Sequence, residues 1–163
     1  MIILASCASL PDYGHIDAET IAQIKLLDAY VAKHGLSVEG VTAWNFLHQR
    51  NEYRNLVLVR VTEQRLRIDE TPRSYPLLED LEEQVVSVHK GSLPDQTISL
   101  VTAHEDIPET MTVPIGRKLF LFFDEKMADG TIRIETGAMC RYTRDLELIV
   151  NDPATESYVP PEK

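Results

Sequence analysis

Five histidines, two cysteines, two short acidic stretches and a few serines are the residues of this 163-residue chain that could do chemistry. The histidines, His15, His34, His48, His89 and His104, show neither HxH nor HExxH spacing, and no GxSxG, Walker or GxGxxG loop is present. His104-Glu105-Asp106 comes nearest to a metal cluster. Three adjacent residues alternate in direction on a strand, so the trio reads as a charged strand end. Glu79-Asp80 with Glu82-Glu83 reads as a solvated acidic surface after Pro76, because a calcium loop needs about six or more oxygens fixed by interleaved turns. Ser74, Ser87 and Ser99 carry no local signal of an activated nucleophile. These patterns assign no catalytic, cofactor-binding or metal residue and imply no cofactor, so the expectation is a protein that is not an enzyme.

Cys7 is different, because its context suggests a modification. Leu4-Ala5-Ser6-Cys7 looks like a bacterial lipobox, at which a signal peptide is cut and the new N-terminal cysteine is lipidated. A secretory signal needs a basic region and about 7 to 15 apolar residues, and neither precedes Cys7. Either the start lies inside a longer signal, or Met1 to Ser6 is an ordinary apolar strand. The two cysteines, Cys7 and Cys140, allow one disulfide or none and cannot build a cysteine-based zinc site alone.

Composition narrows the class. A hydrophobic fraction of 44% with 26% charged residues is that of a globular protein. No run approaches the ~18 apolar residues of a membrane span, so membrane attachment would come only through a lipid on Cys7. The net charge of -10 opposes phosphate backbones. Arg60, Arg65, Arg67, Arg73 and Tyr75 come closest to a nucleic-acid face, but Glu63, Asp69 and Glu70 lie among them. The expected partner is therefore a protein and not a nucleic acid, with Arg117, Lys118, Arg141 and Arg144 in surface ion pairs.

The elements that would position these residues follow from periodicity. From Asp17 to His34, Ile21, Ile24, Leu27 and Val31 recur at helical steps, with Asp17 as N-cap and Gly35 past the end. Gly40 to Gln49 predicts a shorter helix with Trp44 as a core anchor. Leu56–Thr62, Gln84–His89, Gln96–Thr102, Lys118–Asp124 and Thr131–Thr136 read as five strands. Asp129-Gly130 predicts a hairpin that makes the last two antiparallel neighbours. Arg141–Val150 reads as a short helix, and Asn151–Lys163 as a polar, proline-containing tail. The expected core is Leu56, Leu58, Val86, Val88, Ile98, Leu100, Leu119, Leu121, Phe123, Ile132 and Ile134. The fold class is mainly β with flanking helices (α+β). It would be a small five-stranded Greek-key barrel of OB type with an N-terminal helical segment and a short C-terminal helix.

The stretches "VVSVHKGSLPDQTISLVT" and "VPIGRKLFLFFDEKMADGTIRIETGAMCRYTRDLELI" carry a family resemblance. His89-Lys90-Gly91 forms a lysine-glycine turn, Gly116 precedes the Leu119–Phe123 strand, and Cys140-Arg141-Tyr142-Thr143-Arg144 is a cysteine segment before a helix. With "NLVLVRVTEQRL" as first strand, residues 52–150 resemble the netrin-module domains, which include those like the tissue inhibitors of metalloproteinases. Where such domains often carry a Cys-Gly pair, this chain has Glu109-Thr110-Met111-Thr112-Val113-Pro114. The usual partner of the cysteine at 140 is thus missing. That leaves Cys140 as a free buried thiol, the default for a lone cysteine, or paired with Cys7. A thioether-linked lipid on Cys7 would exclude that pairing.

The resemblance also implies protease inhibition, in which an exposed N-terminal cysteine offers its amine and carbonyl to a protease zinc. Here Ala8-Ser9-Leu10 and a helix follow Cys7, and an acylated amine could not chelate, so inhibition stands only as the alternative. The organisation expected is a signal or lipobox remnant at 1–7, a helical segment at 8–50, the barrel at 51–150 and the tail at 151–163. The function expected is a non-catalytic binding module of the bacterial cell envelope, lipoprotein or secreted. The alternative is a soluble inhibitor or intracellular partner-binding protein with Met1 to Ser6 as a strand.

Overall fold

The computed structural model describes residues 16–68, 77–104, 113–134 and 139–160. The chain is an α+β protein, and the described residues form three α-helices and a curled sheet of six strands. Helix α1 (Ala18–His34) starts where the Asp17 carboxylate accepts from the Thr20 N–H at 2.7 Å and ends at Gly35 in the left-handed region. It buries Leu27, Tyr30 and Val31 but leaves Ile21 exposed. Helix α2 (Gly40–Glu52) buries Trp44, Phe46 and Leu47. Helix α3 (Arg144–Asn151) is capped by the Thr143 hydroxyl, which accepts from the Leu146 N–H at 3.2 Å.

The strands are β1 (Asn55–Ile68), β2 (Leu77–Lys90), β3 (Thr97–His104), β4 (Lys118–Phe123), β5 (Ile132–Ile134) and β6 (Met139–Arg141). Their order across the sheet is β5-β3-β2-β1-β4-β6. All neighbours are antiparallel except β3 and β5, which run parallel.

The near-continuous apolar runs of β1 and β4 have a simple cause: both strands are covered on both faces. Paired residues share a face, so Leu56 and Leu58 lie with their partners Phe122 and Phe120. Phe46 of α2 packs edge-on against both rings, at 5.4 and 4.9 Å between centroids, which makes this the helix side. Val57 and Val59 share the opposite face with Leu121 and Leu119. There they meet Leu81, Ile98, Leu100, Ile132 and Met139 in one buried cluster inside the curl.

Several sequence expectations change. The predicted hairpin does not form: β5 pairs with β3, whereas β4 lies between β1 and β6. Asp129-Gly130 does make a tight turn, with Gly130 at φ +83° and its N–H bonded to the Met127 carbonyl at 2.8 Å. That turn closes locally between Met127 and Thr131, so the chain after it is free to cross to β3 rather than return along β4. The described residues form six strands, not the expected five, because Met139–Arg141 pairs with β4.

Val86 and Val88 are exposed, at 44% and 41%, and not core. Strand β3 begins at Thr97 opposite Gln84, so no described strand flanks β2 beyond that point on that side. The remaining expected core residues with described side chains are buried, and the Ile134 side chain lies outside the described residues. The expected polar tail holds a 3-10 helix (Pro153–Ser157), and Thr155 and Val159 are buried.

Candidate functional site

The second half of β2 presents an edge with no flanking strand among the described residues. Strand β1 pairs with β2 along its whole length, from Leu77 to Lys90, but β3 pairs only with Leu77 to Gln84. The last contact on that side is the Val85 N–H, which donates to the Gln96 carbonyl at 2.8 Å. From Val86 to Lys90 the edge is open among the described residues. Register shifts at Leu58/Val59 and Leu56/Val57 leave Val86 and His89 as extra residues of β2, which twists this stretch. Beyond Val61 β1 also has no second neighbour among the described residues, but it carries Glu63, Arg65 and Arg67, the charges that commonly block an edge. The β2 edge presents Val86 and Val88 instead.

Gly91 ends this strand. Its φ is +82°, and a Cβ there would lie 2.2 Å from the Asn55 side-chain oxygen, so the turn needs glycine. Before it, the Lys90 ammonium donates to the carbonyls of Arg50 and Tyr53 at the end of α2. Burial, then the neighbouring Arg50 charge, lowers the Lys90 pKa.

On the helix side of the same strand the structure assembles a polar relay. Ser87 Oγ lies 3.0 Å from His89 Nε2, and His89 Nδ1 lies 3.0 Å from Oδ1 of Asn151, the last residue of α3. An amide oxygen only accepts, so Nδ1 carries the hydrogen, Nε2 is the basic nitrogen, and the Ser87 hydroxyl donates to it. The ring sits edge-on against Phe120 at 5.7 Å. Ser87 and His89 are half-buried and Asn151 is exposed. Ser87 thus has a partner that sequence reading did not find. The i, i+2 spacing on a strand was a usable signal for the Ser87-His89 pair, but nothing local points to Asn151.

No family model matches the chain, and no curated protein matches it.

The second site that sequence reading missed lies inside the curl. The acidic run belongs to β2, and alternation divides it: Glu82 is exposed, whereas Glu79 and Glu83 point inward and are 0% exposed. This corrects the solvated-surface expectation. Glu79 Oε1 accepts from Gln64 Nε2 at 2.7 Å and from the Val113 N–H at 2.9 Å. Among the described residues, both Glu83 carboxyl oxygens lack a partner, as does the Thr102 hydroxyl. Burial, then the Glu82 and Glu79 charges, pushes the Glu83 pKa from 4.5 up to about 8. Among the described residues, no group of three or more His, Cys, Asp or Glu is placed to hold a metal.

Of the cysteines, Cys140 sits on β6 with Phe120 as its cross-strand partner, 2% exposed. It is disulfide-bonded rather than a free thiol, to a partner outside the described residues. Cys7 and the lipobox also lie outside them, as do Ser74, Arg73, Tyr75, Glu105 and Asp106. Trp44 is the core anchor expected, its Nε1 donating to Gln23 Oε1 at 2.7 Å and its ring stacked on His48. Arg67 pairs with Asp80 at 2.6 Å, and Lys118 lies over the Tyr142 ring. Arg117, Arg141 and Arg144 do not form the expected ion pairs among the described residues. No described helix is long and apolar enough to cross a membrane.

Proposed function

We propose that the chain is a non-catalytic binding module of the bacterial cell envelope, secreted or envelope-bound, whose protein partner adds an extended segment to the open edge of β2. The observation that carries this reading is the unflanked stretch Val86–Lys90, with two exposed valines and its outer backbone groups unclaimed by a described strand. An added strand draws affinity from main-chain hydrogen bonds and specificity from alternate side chains. The net charge of -10 favours a partner of opposite charge over a nucleic acid.

The strand order supports the finer fold reading as well. Strand β1 stands between β2 and β4, β3 carries β5, and β6 is an addition, in keeping with a partly open Greek-key barrel resembling the netrin-module domains. The disulfide at Cys140 supports an oxidising compartment. Cys7 is the only other cysteine in the chain, and we assign the bridge to it. A sulfur in that bridge cannot carry a lipid thioether, so this assignment favours the secreted form over the lipoprotein.

A photo-crosslinking residue at position 86, in protein expressed in its native host, tests the proposal. One discrete crosslinked protein is expected, lost when Val88→Lys places a charge on the edge. A crosslink that survives Val88→Lys, or none at position 86, would refute docking at this edge.

A further inference from the structure

We propose that Ser87 is an acyl-accepting nucleophile, activated by His89 and oriented through Asn151, which takes an acyl group from an activated ester in a single turnover. The geometry has the three parts that covalent catalysis uses: a hydroxyl on a base, and the base held by a third group. Ser87 Oγ and His89 Nε2 are 3.0 Å apart, and Asn151 Oδ1 holds Nδ1–H at 3.0 Å. That hydrogen bond selects the tautomer in which Nε2 accepts the serine proton. The Phe120 ring edge-on at 5.7 Å limits how the imidazole can turn.

The site is open to a donor, since Ser87 and His89 are half-buried and Asn151 exposed. In the step, Ser87 Oγ attacks the ester carbonyl carbon while its proton passes to His89 Nε2. The new Oγ–C bond forms, the bond to the leaving alkoxide breaks, and His89 returns the proton to that alkoxide. The product is a serine ester and an alcohol, with no oxidant or co-reactant required.

The test is incubation of the whole chain with p-nitrophenyl acetate, followed by intact mass and peptide mapping. One acetyl group on Ser87, removed by hydroxylamine as an ester is, is expected. Ser87→Ala should lose it, and His89→Gln should slow its formation about 100-fold, with unchanged melting temperatures showing that both fold. Asn151→Ala tests the orienting contact and should slow the reaction while Ser87 remains the site. Acetylation of Ser87 at the same rate in His89→Gln, or no ester at Ser87 in the wild type, would overturn the proposal.

Discussion

Glu83→Gln isolates the largest electrostatic anomaly of the fold. The Glu83 carboxyl is fully buried, neither oxygen has a partner among the described residues, and burial, then Glu82 and Glu79, raises its pKa to about 8. In the unfolded chain the group ionises near 4.5. Below 4.5 both states hold the proton and the group does not affect the folding equilibrium's pH dependence. Between 4.5 and about 8 the unfolded chain gives up the proton and the folded chain keeps it, so stability falls as pH rises. Above about 8 the loss is complete. A displacement from 4.5 to about 8 is worth about 5 kcal/mol as an upper limit, since water entry and relaxation reduce it.

Urea denaturation of wild type and Glu83→Gln at pH 5, 7 and 9 reads this directly. Glutamine keeps the shape and removes the titration, so the two stabilities should diverge with rising pH, the variant becoming the more stable by several kcal/mol at pH 9 relative to their difference at pH 5. A constant offset between them can come from the buried amide and decides nothing. Parallel pH profiles would refute the claim that Glu83 is neutral in the folded protein.

Other outcomes follow from the same packing. Phe46→Ala, removing the ring wedged between Phe120 and Phe122, should cost about 3 to 5 kcal/mol in urea denaturation. Thr143→Ala should remove the cap of α3 and cost about 1 kcal/mol. Gly91→Ala should lower the melting temperature more than a neutral surface change, because the added carbon meets Asn55 at a positive φ. Cys140→Ser should cost about 2 to 5 kcal/mol by opening the disulfide, and non-reducing peptide mapping should link Cys140 to Cys7.

Helices were legible because their ends carry local chemistry: Asp17, Gly35 and the 3.6-residue spacing act within a few residues. The doubly covered strands were legible from their unbroken apolar runs, as in Leu56–Val59 and Leu119–Phe123. Where partners are distant in sequence, local pattern failed. Asp129-Gly130 fixes a turn but not the strand that follows it, and β5 joins β3. Glu79-Asp80 with Glu82-Glu83 reads as a solvated acidic surface until β1 and β3 pair with the segment on both sides and Glu79 and Glu83 turn inward. Val86 and Val88 look like core by composition, yet burial depends on how far β3 extends. Asn151 reaches His89 only because α3 ends beside β2.

Amide hydrogen exchange along β2 in the isolated protein is the most direct test of the open edge. An open edge predicts strong protection through Leu78–Gln84, where β1 and β3 flank the strand, and fast exchange at the outward amides of Val86–Lys90. Uniform protection through Lys90 would mean that the edge is already covered by the chain's own residues, and would contradict a partner docking there.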